Sequence, residues 1–350
     1  MVLAPKALIA MSGGVDSSVA AYLAIQKGFD CIGGTMILCQ TQEDIADAEA
    51  VAHRLCIPFY TFDARLPFRT TVQEPFVQSY EAGETPNPCI LCNRQLKFGY
   101  LLNRAKELGC SFVVTGHYAR IRQDKETGRW LLLKAADSSK DQSYFLSTLT
   151  QEQLSHIFFP LGELTKEQAR SLATQQQFIN ARKRDSQDIC FVPDGDYPAF
   201  LEKFTGKHYA AGDFLDQDGH VVGQHRGAVC YTLGQRKGLG LAMGQPVYVC
   251  GKDMTANTVT VGPNEALFHK SLIASEWSWF PFDELTQPLK CMAKARSRMA
   301  EQPATAYPDK NGSVRVVFDE PQRALTPGQT VVLYDGDTVI GGGCVRNILE

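Results

Sequence analysis

Residues 7–18, Ala7-Leu8-Ile9-Ala10-Met11-Ser12-Gly13-Gly14-Val15-Asp16-Ser17-Ser18, hold the pattern on which the fold turns. Ala7 to Ala10 reads as a short buried strand, and Ser12-Gly13-Gly14 as a turn. Ser17 to Gly28 then reads as a helix, with Val19, Ala20, Leu23 and Ala24 forming an apolar face at helical spacing. Two glycines at such a junction let the backbone come close to an anion, and the helix start offers free N–H groups and a partial positive charge. Ser12, Ser17 and Ser18 can add hydroxyl donors. Asp16 is out of place beside a phosphate unless Mg²⁺ stands between them. A bare Gly-Gly pair would be only a turn with a Ser cap. The whole string between strand and helix points to a phosphate loop. It is not the Walker pattern, because no Gly-Lys-Ser or Gly-Lys-Thr follows.

Outward from this loop, Phe29 to Leu38 reads as a second strand and Asp44 to Leu55 as a helix. Leu96 to Leu108 reads as another helix, closed by Gly109, with Phe112-Val113-Val114 a strand after it. Strands alternating with helices imply an α/β domain built on a parallel sheet. The second half changes character. Gly219 to Gly262 is Gly-rich with short β-branched runs, and Val314 to Phe318 and Thr330 to Tyr334 are strands bounded by Pro327-Gly328 and Asp335-Gly336. These imply a small central domain followed by a C-terminal antiparallel β-barrel. The expected units are 1–200, 201–267 and 268–350.

The chain has 350 residues, enough for two or three domains. Apolar types at 44% and charged types at 21% exclude disorder as the main state. With 35 Lys and Arg against 38 Asp and Glu, the net charge of −3 excludes a uniformly basic nucleic-acid coat but not a local patch. The cysteine count, 11, is odd, and no spacing repeats as in a secreted disulfide scaffold. A reduced, cytoplasmic setting is expected. No run approaches the ~18 apolar residues of a spanning helix, so no membrane partner is expected. Met1 to Met11 is too short and runs too directly into the Ser-Gly-Gly turn for a signal peptide.

The second constellation is Thr85-Pro86-Asn87-Pro88-Cys89-Ile90-Leu91-Cys92-Asn93-Arg94. Its Cys-x-x-Cys pair opens a helix pattern through Lys97 and Phe98, and a helix N-terminus lowers a thiol's pKa. A third cysteine lies far downstream in Asp185-Ser186-Gln187-Asp188-Ile189-Cys190-Phe191. Half a zinc site, a thioredoxin-like redox pair and a buried structural thiol are the competing readings. No second close pair or His-x3-His partner supports zinc, and the Pro-Asn-Pro approach is not a thioredoxin setting.

The loop at 12–18 resembles the pyrophosphate loop of N-type ATP pyrophosphatases, which split ATP into AMP and pyrophosphate to adenylate a substrate oxygen. Further motifs are Thr85 to Gly99, Thr115 to Arg120, Lys140 to Leu146, Asp185 to Val192, Tyr231 to Gly240, Pro327-Gly328-Gln329 and Gly341-Gly342-Gly343. Together they make nearly the whole chain resemble the tRNA-specific 2-thiouridylases. The resemblance implies that Ala10, Met11, Ser12, Gly13, Gly14, Val15, Asp16 and Ser17, with Met36 and Gly116, bind ATP, with Mg²⁺. It implies that the wobble uridine enters beside Asn87, Pro88 and Cys89, and that Cys190 carries a persulfide delivered by a cysteine desulfurase or sulfur-relay protein. Cys92 is then the nucleophile, and a Cys92–Cys190 disulfide forms during turnover. Many members have Asp where this chain has Cys89. Cys89, Cys92 and Cys190 therefore also form a donor set for a 4Fe–4S cluster with one open iron.

The anticodon region of tRNA needs phosphate contacts. The resemblance points to His117, Lys140, Asp141, Gln142, Arg296, Ser297 and Gln329. Arg182-Lys183-Arg184 is a further candidate, and Lys294, Arg296 and Arg298 would share one side of a strand. The family usually has Tyr at the position of Ser297. Cys31, Cys39, Cys56, Cys110, Cys230, Cys250, Cys291 and Cys344 read as structural. Two rivals remain at this stage: a pyrophosphate-loop ligase acting on a small metabolite, and a non-catalytic tRNA-binding or iron–sulfur carrier protein.

Overall fold

The computed structural model describes residues 4–183 and 189–349. Strands β1 (Lys6–Ala10), β2 (Asp30–Ile37), β3 (Phe59–Asp63) and β4 (Phe112–Val114) alternate with helices, of which α1 (Val15–Gln26) and α2 (Gln42–Arg54) are the first two. A hairpin of β5 (Arg120–Gln123) and β6 (Trp130–Leu133) leaves this layer, and β7 (Ile157–Phe158) returns to it. The sheet order is β3-β2-β1-β4-β7, and every pairing is parallel. Alternate residues of β1 serve two cores. Leu8 packs with Ile32, Leu101 and Val113, while Ala7 and Ile9 pack with Val19, Ala20 and Val51. That two-sided burial is why the strand reads as an unbroken apolar run.

The helix that carries the Cys-x-x-Cys pair starts earlier than Leu96. It opens at Pro88, capped by the Asn87 side chain, and runs on to Glu107. Across Cys92–Tyr100 it widens to hydrogen bonds spanning five residues, ending with Leu101 N–H donating to Leu96 O. Such π-helical stretches recur at functional sites.

In the central unit, β8 (Gly212–Leu215), β9 (Val221–His225), β10 (Tyr248–Asp253) and β11 (Thr258–Gly262) form a sheet in the order β10-β11-β8-β9. It is mixed, since β8 and β11 run parallel. A helix, Tyr197–Thr205, capped by Asp196, crosses the first expected boundary. The last unit contains β12 (Phe268–Trp279), β13 (Leu289–Lys294), β14 (Gln302–Pro308), β15 (Val314–Arg323), β16 (Thr330–Asp335) and β17 (Thr338–Leu349). Antiparallel pairing in the order β12-β15-β14-β13-β16-β17 is closed by β12 on β17, giving a six-stranded barrel. Closure leaves no barrel edge to aggregate.

Several contacts tie the barrel to the nucleotide domain, and two of them bear on the site. The β5–β6 hairpin reaches it through Leu133 opposite Thr338, with Arg120 bound to Asp337 at 2.8 Å and Arg129 Nε donating to Phe280 O at 2.7 Å. The second tie joins it to the Thr85 loop, where Thr85 N–H donates to Pro327 O at 2.9 Å and Gln329 Nε2 to Thr85 O at 2.5 Å. The barrel therefore braces the segment that leads into Cys89 and Cys92.

Candidate active site

The phosphate loop is rigid because its own hydroxyls hold it. Gly14 O accepts from Ser17 Oγ at 2.9 Å and from Ser18 Oγ at 3.0 Å, and Ser12 N–H donates to Ser17 Oγ at 3.2 Å. Ser18 is 1% exposed and its Oγ also accepts from Asn180 Nδ2, so it braces the loop instead of facing a phosphate. Gly13 has φ +73°, and a Cβ there would lie 2.2 Å from Asp44 O, because the first turn of α2 rests on the loop. A Cβ on Gly116 would lie 2.6 Å from the backbone of Asp16. Both positions thus need glycine for close approach. Ala10, Met11, Ser12, Asp16, Ser17, Met36 and Gly116 line one cavity, while Gly13, Gly14 and the buried Val15 shape the loop behind it.

Asp16 is accompanied by a cation from the protein itself. Lys166 Nζ lies 2.8 Å from both Asp16 carboxylate oxygens, and Tyr118 OH donates to Asp16 Oδ1 at 2.9 Å. Lys166 is 8% exposed and stands at the start of the helix Lys166–Gln175. A cation is disfavoured at that end of a helix dipole, so its burial there depends on the partner carboxylate. Lys166 and Asn180 were absent from the sequence-based site. The available signal for Lys166 was a Lys in a helical first turn where an acid is preferred.

The cavity is also lined by Lys97 and His117, which the fold brings to its wall. His117 is 8% exposed and packed against Phe98 and Phe159. Its Nδ1 is 2.7 Å from Thr115 Oγ1, and its Nε2 is 3.5 Å from Lys97 Nζ. Lysine can only donate, so Nε2 is the acceptor and Nδ1 carries the proton. Burial, and then the Lys97 charge, hold the imidazole pKa well below its usual value. The neutral imidazole thus accepts from Lys97 at the cavity wall.

The thiols gather around the same lysine. Cys92 is 9% exposed, and burial pushes its pKa up to about 11, with Lys97 pulling it down and the charges of Cys190 and Cys89 opposing it. This corrects the expectation of a low-pKa thiol: the pair opens a helix, but the cost of desolvating a thiolate exceeds the pull of the helix end. Cys89 is exposed, with its N–H donating to Asn87 Oδ1 at 3.2 Å. Cys190 is exposed as well. Contact with Cys39 raises its pKa. All eleven cysteines are free thiols. Cys31, Cys110 and Cys230 are buried, as structural thiols should be, and Cys250, Cys291 and Cys344 are half-buried. Cys56 is exposed at the end of α2, and Cys39 is exposed with its Sγ 3.5 Å from Cys190 O, so Cys39 belongs to the thiol group.

The candidate RNA contacts differ in their surroundings. Asp141 is committed within its own turn, accepting from Ala135 N–H and from the Ser143 N–H and hydroxyl. Gln142 lines the nucleotide cavity and accepts from Tyr118 N–H, and Lys140 is half-buried. Lys183, one of the expected trio, is paired with Asp44 and Asp47 at 2.8 and 2.7 Å. Arg184 and residues 185–188 lie outside the described residues. β13 stops at Lys294, so Lys294, Arg296 and Arg298 do not share a strand face. Met299 N–H donates to Arg296 O, which places Arg296, Ser297 and Arg298 in a turn. Gln329 spends an amide N–H on Thr85.

A parallel sheet with an Ser-Gly-Gly loop at its central strand, a charge-paired Asp16 behind the loop, a mixed central sheet and a closed six-stranded barrel define a multidomain protein of the pyrophosphate-loop class. Three family models match in order: a tRNA methyl transferase HUP domain over 5–194, a tRNA methyl transferase PRC-barrel domain over 198–263, and an aminomethyltransferase beta-barrel domain over 269–345. The tRNA-specific 2-thiouridylase MnmA of Symbiobacterium thermophilum is 46% identical, with 99% of this chain and 94% of that protein covered. That of Clostridioides difficile is 44% identical over the full length of both. The chain belongs to the tRNA-specific 2-thiouridylase family. Among solved structures, a 4-thiouridine synthetase–RNA complex with bound ATP aligns at 15% identity and a TM-score of 0.37, covering 58% of this chain and 50% of that one.

Proposed function

We propose that this protein is an ATP-dependent tRNA 2-thiouridylase acting on the wobble uridine. The observation that carries the proposal is a single lysine shared by two half-sites. Lys97 lines the nucleotide cavity and acts electrostatically on Cys89, Cys92 and Cys190. ATP chemistry and sulfur chemistry are thereby adjacent.

In the proposed sequence, Mg-ATP lies across the loop at 12–17 and the target base enters at Asn87, Pro88 and Cys89. The uridine 2-oxygen attacks the α-phosphorus and pyrophosphate leaves. An amide-like oxygen is a poor leaving group until adenylated. Cys190, exposed to a sulfur-donor protein such as a cysteine desulfurase or sulfur-relay protein, carries the outer sulfur as a persulfide. That sulfur attacks C2 and AMP departs. Cys92 attacks the inner sulfur, the S–S bond of the persulfide breaks, and a Cys92–Cys190 disulfide remains to be reduced. The Lys97 charge favours both the developing phosphate charge and the Cys92 thiolate. RNA would be gripped by Lys140, Arg296 and Ser297, with Gln329 setting the loop that admits the base. Among the described residues no helix is long and apolar enough to cross a membrane, and a cytoplasmic setting fits a tRNA substrate.

The convergence of three thiols supports a second reading of the sulfur step. Cys89, Cys92 and Cys190 would hold a 4Fe–4S cluster, which when bound supplies an open iron site for hydrosulfide. Anaerobic reconstitution separates the two. Iron bound to the wild type beyond a triple Cys→Ala control supports the cluster, and its absence removes it. The function itself is tested by incubating the protein with unmodified tRNA, Mg-ATP and either a persulfide or a sulfide donor, then digesting the RNA for mass spectrometry. A 2-thiouridine product is expected; none with either donor overturns the proposal.

A further inference from the structure

Cys39 follows β2 at the mouth of the nucleotide cavity, whose wall includes its neighbours Leu38 and Gln40. Gln40 Oε1 accepts from the N–H groups of both Leu38 and Cys39, at 2.7 and 3.2 Å, and so folds this stretch into a tight turn with Cys39 on the outside. The turn delivers the thiol to Cys190 across 151 positions of sequence, Sγ to backbone oxygen at 3.5 Å. Cys39 and Cys190 are both exposed, whereas Cys92, the other thiol with a role toward Cys190, is 9% exposed.

Resting on the reading that Cys190 carries the persulfide, we propose that Cys39 is a second resolving thiol, which discharges Cys190 when no tRNA is bound. The Cys39 sulfur attacks the inner sulfur of the Cys190 persulfide. A Cys39–Cys190 bond forms, the bond to the outer sulfur breaks, and that sulfur leaves as hydrosulfide with the proton of the Cys39 thiol. The outer sulfur is reduced as the two cysteines are oxidised, so the step is balanced without an external oxidant. The product cannot accept new sulfur until a thiol reductant reopens it. An enzyme loaded without substrate is in this way emptied and closed, and a bound tRNA gives the sulfur a competing destination.

The test uses full-length reduced protein, treated anaerobically with inorganic polysulfide, desalted, and left without tRNA. Hydrosulfide release is followed in time, and unreduced peptides are mapped by mass spectrometry. The wild type is expected to release about one hydrosulfide per chain and to yield a Cys39–Cys190 peptide. Cys39→Ser is expected to retain the persulfide on Cys190 and release hydrosulfide at least about tenfold more slowly. Equal release by both proteins, or a wild-type map showing Cys92–Cys190 instead, overturns the Cys39 role and leaves the persulfide reading standing. Failure of either protein to acquire sulfur on Cys190 overturns both.

Discussion

Cys92 offers a quantitative test of the site's electrostatics. Its pKa of about 11, against 9.0 for an unperturbed thiol, leaves about one molecule in ten thousand as thiolate at pH 7, where an ordinary thiol has about one in a hundred. Alkylation by iodoacetamide, followed by mass spectrometry of the Cys92 peptide, should therefore run about a hundredfold slower at pH 7 than in a free peptide from ionisation alone. Limited access lowers the absolute rate further, but it does not change the pH slope. The rate should rise about tenfold per pH unit up to about pH 11. Lys97→Met removes the one group among the described residues that pulls this pKa down, so the curve should move to still higher pH. The same shift makes stability fall in alkali. The folded state keeps a proton that the unfolded state releases above pH 9, so the contribution is whole below pH 9 and is lost as pH rises to about 11. A labelling curve that levels off near pH 9, or a Lys97→Met curve that coincides with wild type, would refute the reasoning.

Three other changes test separate parts of the site. Lys166→Met leaves Asp16 without its cation. It should cost about 1–3 kcal/mol in a denaturant melt, less than a fully buried pair because Asp16 is partly exposed, and should sharply reduce pyrophosphate release from ATP; unchanged release would show that Asp16 does not need this partner. Cys92→Ser and Cys190→Ser should each abolish 2-thiouridine formation while sparing tRNA-dependent pyrophosphate release, whereas a ligase of small metabolites would keep its full activity. Reversing Arg296 and Arg298 to Glu should weaken tRNA binding and flatten its salt dependence, read by filter binding at several salt concentrations; an unchanged slope would place the phosphate grip elsewhere.

What could be read from the chain was whatever is encoded locally. The Ala7–Ala10 run fixes a two-sided buried strand, and Ser12-Gly13-Gly14 at its end fixes an anion loop, because strand, turn and helix are neighbours in sequence. The barrel strands announce themselves by β-branched runs and Pro-Gly or Asp-Gly turns. Partnerships over long separations were not legible. Lys166 lies 150 positions from Asp16, and nothing near either residue names the other. Burial was misjudged for a related reason. A Cys at a helix opening suggests a stabilised thiolate, but the packing that covers Cys92 comes from elements elsewhere in the chain. The turn at Arg296 fails for a local cause: alternating cations look like a strand, yet the Met299 N–H to Arg296 O bond closes a turn just past Lys294.

The cysteine count shows how a weak compositional signal becomes chemical only through the fold. An odd number of thiols suggested a reducing compartment and little else. In three dimensions they separate by environment. Cys31, Cys110 and Cys230 are enclosed in apolar surroundings, while Cys39, Cys89 and Cys190 are exposed and Cys92 lies buried in a cluster with Met36 and Leu101 of the cavity wall. The proposed sulfur transfer needs such inequality. In the proposed mechanism an accessible thiol such as Cys39 competes for the persulfide, so the thiol that completes transfer to the base is the one held back by burial. In that reading burial, which pushes the Cys92 pKa up to about 11, does the holding back, and Lys97 limits the penalty beside the cavity proposed for ATP.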